Sequence, residues 1–237
     1  AGNNFATRYS FNWQAVTELR PDLSLVYGLE ATRETAGFGG VEAADSSDGR
    51  ALWGQALWSP AEGRDLTLGL RRDHHSRYGG HTTGRLAFAF AASEALTLRG
   101  MTASGFLSPS LYQLYGDEWV RPNPGLTPEE SRSYELGLDY RYAAGSLGLT
   151  LFRLDSDNAI VWGSEAGYVN LPGRSRRQGV ELSLDHALSE RVSLQAGYSY
   201  TRAFNPEGER LGRVPRHQFS LGVTAGVSEA LTLNAGL

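Results

Sequence analysis

Six side chains of this 237-residue chain are suited to gripping a flat, acidic small molecule: Tyr112, Tyr115, Trp119 and Arg121, then Trp162 and Tyr168. Aromatic faces stack on planar groups, and a guanidinium forks onto carboxylates or phosphates. Asp45 and Asp48, with Glu42, place oxygen ligands of the kind calcium prefers in a Gly-rich stretch. We read them as a solvated acidic loop, with calcium as the weaker alternative. Asp73, His74, His75 and His81 have transition-metal chemistry. Adjacent side chains on a strand point to opposite faces, so His74 and His75 cannot chelate together unless the chain bends. His186 is followed by Ala187, Leu188 and Ser189, too weak a pattern for a base and nucleophile. We assign no metal and no catalytic residue.

Composition narrows the setting. The chain has 22 basic and 26 acidic residues, a net charge of −4 and no basic block, which argues against a partner held by phosphate neutralisation such as nucleic acid. Every basic residue is Arg and there is one Ile, a pattern we read as codon bias. With no Cys, disulfides and thiolate-ligated metals are excluded. No run approaches the roughly 18 to 20 consecutive apolar residues of a membrane helix. The first residue is Ala1, not Met, and the expectation is an internal piece of a longer protein.

The elements that must position these residues are strands. Phe5, Tyr9, Phe11 and Trp13 fall on one face, with Arg8, Ser10, Asn12 and Gln14 on the other. The same period of two recurs through Leu23 to Glu30, Ser133 to Tyr142, Val192 to Thr201 and Gln218 to Ala225. About twelve such segments are expected, with no helix of two or more turns. Most run to about ten residues, the length a tilted membrane-crossing strand needs. Alternation is weaker in Ala51 to Trp58 and Leu147 to Leu154, where a bulge would restore phase.

Connections alternate between short and long. Short ones fall near Leu19–Pro21, Pro60–Gly63, Ala92–Glu94, Ala143–Gly145, Ser189–Arg191 and Gly226–Glu229. Long ones run roughly Thr35–Gly49, Asp73–Thr82, Gly105–Arg132, Asp155–Gly167 and Ala203–Gly212. In an antiparallel meander this puts every short turn at one end and every long loop at the other, as in outer-membrane barrels. Ser93-Glu94-Ala95-Leu96-Thr97-Leu98 reappears as Ser228-Glu229-Ala230-Leu231-Thr232-Leu233, which suggests hairpin duplication.

One face carries Arg8, Glu30, Arg71, Arg85, Arg99, Glu135, Asp139 and Glu181 inside strands, so it must be wet. The other is rich in Leu and Tyr. About twelve long strands enclose a lumen too wide for side chains to fill, so the apolar face is assigned to lipid. Unpaired backbone in hydrocarbon costs several kcal/mol per group, so the sheet must close or belong to one that does. The last strand stops at Leu237, and the chain is expected to continue.

The longest loop carries a resemblance. Gly105-Phe106-Leu107-Ser108-Pro109-Ser110-Leu111-Tyr112-Gln113-Leu114-Tyr115-Gly116, followed by Asn123-Pro124-Gly125-Leu126-Thr127-Pro128-Glu129-Glu130-Ser131, resembles signatures of TonB-dependent outer-membrane receptors. Tyr134-Glu135-Leu136-Gly137, Tyr168-Val169-Asn170, Gly179-Val180-Glu181 and Arg213-Val214-Pro215-Arg216-His217 are also similar to theirs. Leu107 and Ser108 depart from the basic residue and Ala usual after the Phe. The resemblance implies an all-β, antiparallel, up-and-down transmembrane barrel of about 22 strands, of which residues 1–237 are a partial barrel domain. It also implies an N-terminal plug, absent from these residues, and uptake of a scarce nutrient driven by the TonB–ExbB–ExbD energy-coupling system. The 111–116 run and the 213–217 strand look most similar to the cobalamin-receptor branch, with ferric-siderophore and haem receptors as alternatives. Cobalamin receptors use acidic loops for calcium. An outer-membrane hydrolase, a passive porin and an autotransporter translocator are the rival readings.

Overall fold

A computed structural model describes residues 4–39, 45–117, 119, 121–163, 167–228 and 230–237. Three hairpins come first: β1 (Phe5–Arg20) with β2 (Leu23–Gly37), β3 (Asp45–Ala61) with β4 (Arg64–His75), and β5 (Gly79–Ala91) with β6 (Leu96–Leu107). A short helix, α1 (Leu111–Tyr115), lies in the connection to β7 (Glu129–Tyr142) and β8 (Gly145–Asp157). The small pair β9 (Ile160–Gly163) and β10 (Gly167–Asn170) precedes β11 (Arg174–Ser189), β12 (Val192–Phe204), β13 (His217–Ser228) and β14 (Leu231–Gly236). All but β9 and β10 form one 12-stranded sheet in chain order, with β1 and β14 as its edges. No helix among the described residues is long and apolar enough to cross a membrane.

The register fixes which side chains share a face, because directly paired residues point the same way. Trp13 lies opposite Leu29, Leu29 opposite Leu52, and further along Leu138 opposite Leu149 and Leu149 opposite Leu182. This Leu-rich face is open: Leu52, Leu68, Leu70, Leu136 and Leu151 are all exposed. Among the described residues no large side chain is fully buried, and the buried apolar residues are only Ala36, Ala51, Leu111, Leu114, Leu126 and Ala203. A water-soluble sandwich would bury its leucines between layers. Here a single layer has solvent of one kind on each side.

The opposite face carries hydrogen-bonded charge. Arg99 Nε donates to Asp139 at 2.9 Å and its Nη2 to Thr150 at 2.7 Å. Arg71 bridges Glu30 and Asp73 at 2.9 Å each. At the short-turn end of the Leu face, aromatic rings find polar partners. Trp58 Nε1 donates to Asp22 at 2.9 Å, and the Tyr142 hydroxyl meets His186 Nδ1 at 2.9 Å. Rings with one apolar body and one polar handle suit the boundary between hydrocarbon and water.

Three expectations need correction. Residues 51–58 and 147–154 contain no bulge; both pair with each neighbouring strand without a register shift. Their alternation is broken because large apolar residues occupy the wet face where a glycine opposite leaves room, Trp53 over Gly28 and Phe152 over Gly179. The register shifts occur at short turns instead, such as Trp58/Ala61 and Ala187/Ser189. Asp73–Thr82 is not a long loop: strand runs to His75 and resumes at Gly79, so only residues 76–78 turn. Its polar sequence reflects strand beyond the apolar band, where both faces meet water. For the same reason most strands exceed ten residues; β1 and β11 have 16 and β3 has 17.

Two outcomes check this architecture. Leu138→Arg in the full-length protein should cost about 2–4 kcal/mol near the bilayer midplane, read from the unfolding midpoint in vesicles, whereas Asp139→Asn on the other face should be mild; equal effects would reverse the faces. Residues 1–237 expressed alone should give no heat-modifiable, protease-resistant monomer in detergent, because the backbone of β1 and β14 lacks outer partners.

Candidate functional site

The long loops meet at one end of the sheet. Within the β6–β7 connection, Ser110 caps α1: its hydroxyl accepts from Gln113 N at 3.2 Å, and the Gln113 side chain accepts from Ser110 N at 2.9 Å. This reciprocal pair satisfies two N–H groups that a helix start leaves free. Leu111, Leu114 and Leu126 are buried beneath the loop, so half of the buried apolar residues among the described residues lie here rather than in the sheet.

Side-chain amides latch this loop to the β9–β10 hairpin. Asn123 Nδ2 donates to Tyr168 O at 2.9 Å. Asn170 Oδ1 accepts from Thr127 N at 2.8 Å, and its Nδ2 donates to Thr127 O and Asn158 O at 2.9 Å each. Glu129 accepts from Ile160 N at 2.9 Å. A second brace comes from the β4–β5 turn: Arg77 donates to the Tyr115 hydroxyl and to Pro124 O. Its guanidinium stands 5.8 Å from the Tyr78 ring centre and 5.6 Å from that of Tyr115.

All six residues singled out for ligand binding therefore belong to one latched unit. Tyr112 packs against Phe38 with ring centres 5.5 Å apart, Tyr115 is held by Arg77, and Trp162 pairs with Tyr168 across β9 and β10. Arg121 has a left-handed backbone, φ 47, and faces Gly167, whose φ is 72. Trp119 is 90% exposed. Loss of hydration raises the Tyr112 hydroxyl pKa, with Asp117 and Tyr168 nearby adding to it, and burial likewise raises that of Tyr78. The Tyr78 hydroxyl donates to Leu126 O at 3.3 Å.

The weaker metal candidates do not converge. Asp45 pairs with Ala36 and Asp48 with Arg33, so an odd separation puts them on opposite faces of β3. Asp48 lies 3.8 Å from Arg33, and Glu42 lies outside the described residues. His74 and His75 also take opposite faces of β4, and among the described residues no group of three metal-binding side chains exists.

The structure adds a luminal pocket of about 420 Å³ beneath residues 106–110, lined by Arg8, Glu30, Glu34, Arg71, Asp73 and His75. Arg8 and Glu34 pair at 3.0 Å. In the sequence Arg8, Glu30 and Arg71 read only as wet-face residues. That β1, β2 and β4 stack them into one pocket needs the register, since Arg71 is 41 residues from Glu30 and β3 lies between their strands.

An open-edged, two-faced antiparallel sheet with sorted loops is the wall of a transmembrane β-barrel. The family model described as TonB dependent receptor-like, beta-barrel, matches residues 1–235; the chain belongs to the TonB-dependent receptor β-barrel family and is a protein of the bacterial outer membrane. It is 29% identical over 209 residues to the iron-regulated outer membrane virulence protein of Vibrio cholerae serotype O1, covering 76% of this chain and 32% of that one. It is 25% identical over 189 residues to the vitamin B12 transporter BtuB of Photobacterium profundum, covering 79% of this chain and 30% of that one. The solved siderophore receptor PirA from Pseudomonas aeruginosa superposes with a TM-score of 0.82 at 25% identity, covering 98% of this chain and 45% of that one. The chain thus spans about a third of the length of the curated relatives it matches.

Asn170→Ala removes the hub of the latch. It should leave the sheet intact but speed proteolytic cutting within residues 108–128, followed by mass spectrometry of the fragments; unchanged cutting would mean the hairpin does not hold the loop.

Proposed function

We propose that this chain forms part of the wall of a receptor that imports a ferric siderophore, an anionic iron chelate with flat aromatic groups, across the outer membrane. The observation that carries the reading is Trp119, an indole 90% exposed on a loop otherwise braced by buried leucines and amide latches. A large ring held out in water by a well-anchored loop gains from stacking on a planar ligand. Arg121 shares that loop, and guanidinium groups complement the negative charge of such a chelate. The relatives agree in part: one is named as iron-regulated, and the ferric enterobactin receptor of Pseudomonas aeruginosa is 33% identical over 145 residues.

Cobalamin is the second reading, favoured by relatives named BtuB in Photobacterium profundum and Vibrio vulnificus and by the 111–116 run. In either case import draws on the TonB–ExbB–ExbD system through a plug, as the family resemblance implies. The luminal pocket lined by Arg8 and Arg71 is the surface offered to such a plug. Calcium at Asp45 or Asp48 is no part of this reading, because their side chains point to opposite faces.

The test is tryptophan fluorescence of the full-length protein titrated with ferric enterobactin and, separately, with cyanocobalamin. The iron chelate should quench, and Trp119→Ala should weaken its binding about tenfold, the equivalent of one aromatic contact. A response to cyanocobalamin alone would overturn the siderophore reading.

A further inference from the structure

The Leu-rich face does not stay apolar to its end. On β12 the outward series runs Val192, Leu194, Ala196, Tyr198, Tyr200, Arg202. Register carries that face to Gln178 of β11, Arg153 of β8 and Tyr134 of β7. Two residues towards the loops, it reaches Arg176, Asp155 and Arg132. Arg202 lies ten residues beyond Val192. At about 3.4 Å per residue and a tilt of about 40°, that is about 26 Å along the membrane normal, the upper border of an apolar band about 25 Å tall. These arginines therefore stand at headgroup depth, outside the barrel, on the loop side.

We propose that this outward patch on β7, β8, β11 and β12 binds the phosphate of lipid headgroups in the outer leaflet. Asp155, 5% exposed, organises it. Its Oδ2 accepts from Arg153 Nε and Nη2 at 3.0 and 2.7 Å, and its Oδ1 accepts from Arg176 Nε at 2.8 Å. Both guanidinium groups are fixed while keeping N–H groups directed away from the carboxylate. Arg174 is held in the same way by Asp157 at 2.9 Å. Arg132 and Arg202 have no carboxylate partner among the described residues, and Arg202 lies 5.3 Å from the Phe204 ring centre.

Five arginines thus face the three carboxylates Glu130, Asp155 and Asp157 on one surface of a chain whose net charge is −4. Preorganised guanidinium forks are matched to phosphate oxygens. The occupant is a lipid and not a free anion because the patch borders the apolar face: two residues below Gln178, Arg153 and Arg202 the same face carries Val180, Leu151 and Tyr200. Below that row, towards the short turns, an apolar groove of about 620 Å³ lined by Leu138, Leu147, Leu149, Leu182 and Leu184 would take the ends of the acyl chains of the same molecule. The inference depends on the barrel's orientation in the outer membrane and is independent of the nutrient imported.

Native mass spectrometry of the full-length protein, stripped of lipid in neutral detergent, tests it. The probes are a diphosphorylated glycolipid, the same lipid dephosphorylated, and inorganic phosphate. The diphosphorylated lipid should bind tightest, and added NaCl should weaken it. Arg132→Gln with Arg202→Gln should lower its affinity about thirtyfold, with heat-modifiable gel mobility kept, whereas Arg85→Gln on the luminal face should have no effect on it. Equal binding of both lipids, saturation by inorganic phosphate alone, unchanged affinity in the double variant, or salt-independent affinity in the parent would each overturn the proposal. The salt titration decides the matter even should the double variant fail to fold.

Discussion

Everything in this chain follows from the need to satisfy a peptide backbone inside hydrocarbon. Each unpaired N–H or carbonyl there costs several kcal/mol, so every strand that crosses needs a neighbour on both sides. The order of the 12-stranded sheet, with its strands following one another in chain order, is the simplest answer. It also dictates the rest. Antiparallel hairpins sort the connections into two ends, and the pleat sorts side chains into two faces.

The two faces then solve different problems. The outward face needs only to be apolar over the band, and no jigsaw packing is required of it. The inward face holds its charges by mutual pairing, as Arg71 does with Glu30 and Asp73 and Arg99 with Asp139. What would be a core in a water-soluble domain has moved to the loops, where Leu111, Leu114 and Leu126 are buried. That small core, with the Asn123 and Asn170 latches, gives the loop end a fixed shape, as presenting a ring such as Trp119 to a ligand demands.

Charge on the outward face follows height. Across the apolar band the face carries Leu and Tyr, and beyond it Arg132, Arg153, Arg176 and Arg202 take their places at the same parity. An arginine is therefore not by itself a mark of the lumen; its height along the strand decides its surroundings. The polar residues of β4 and β5 near the 76–78 turn make the same point, since they lie in strand where both faces meet water.

The sequence alone determined the strand period, the sorting of short turns from long loops and the assignment of leucines to lipid, because a pleated strand repeats every two residues and leaves that repeat visible. The motif of the longest loop was legible for the same reason, being contiguous. The tertiary structure alone decided the absence of bulges at Trp53 and Phe152, the divergence of Asp45 from Asp48, the luminal pocket and the outward arginine patch. Each depends on which residues of separate strands lie side by side. Register is set by backbone pairing across the sheet, and one chain's local pattern does not record its neighbours.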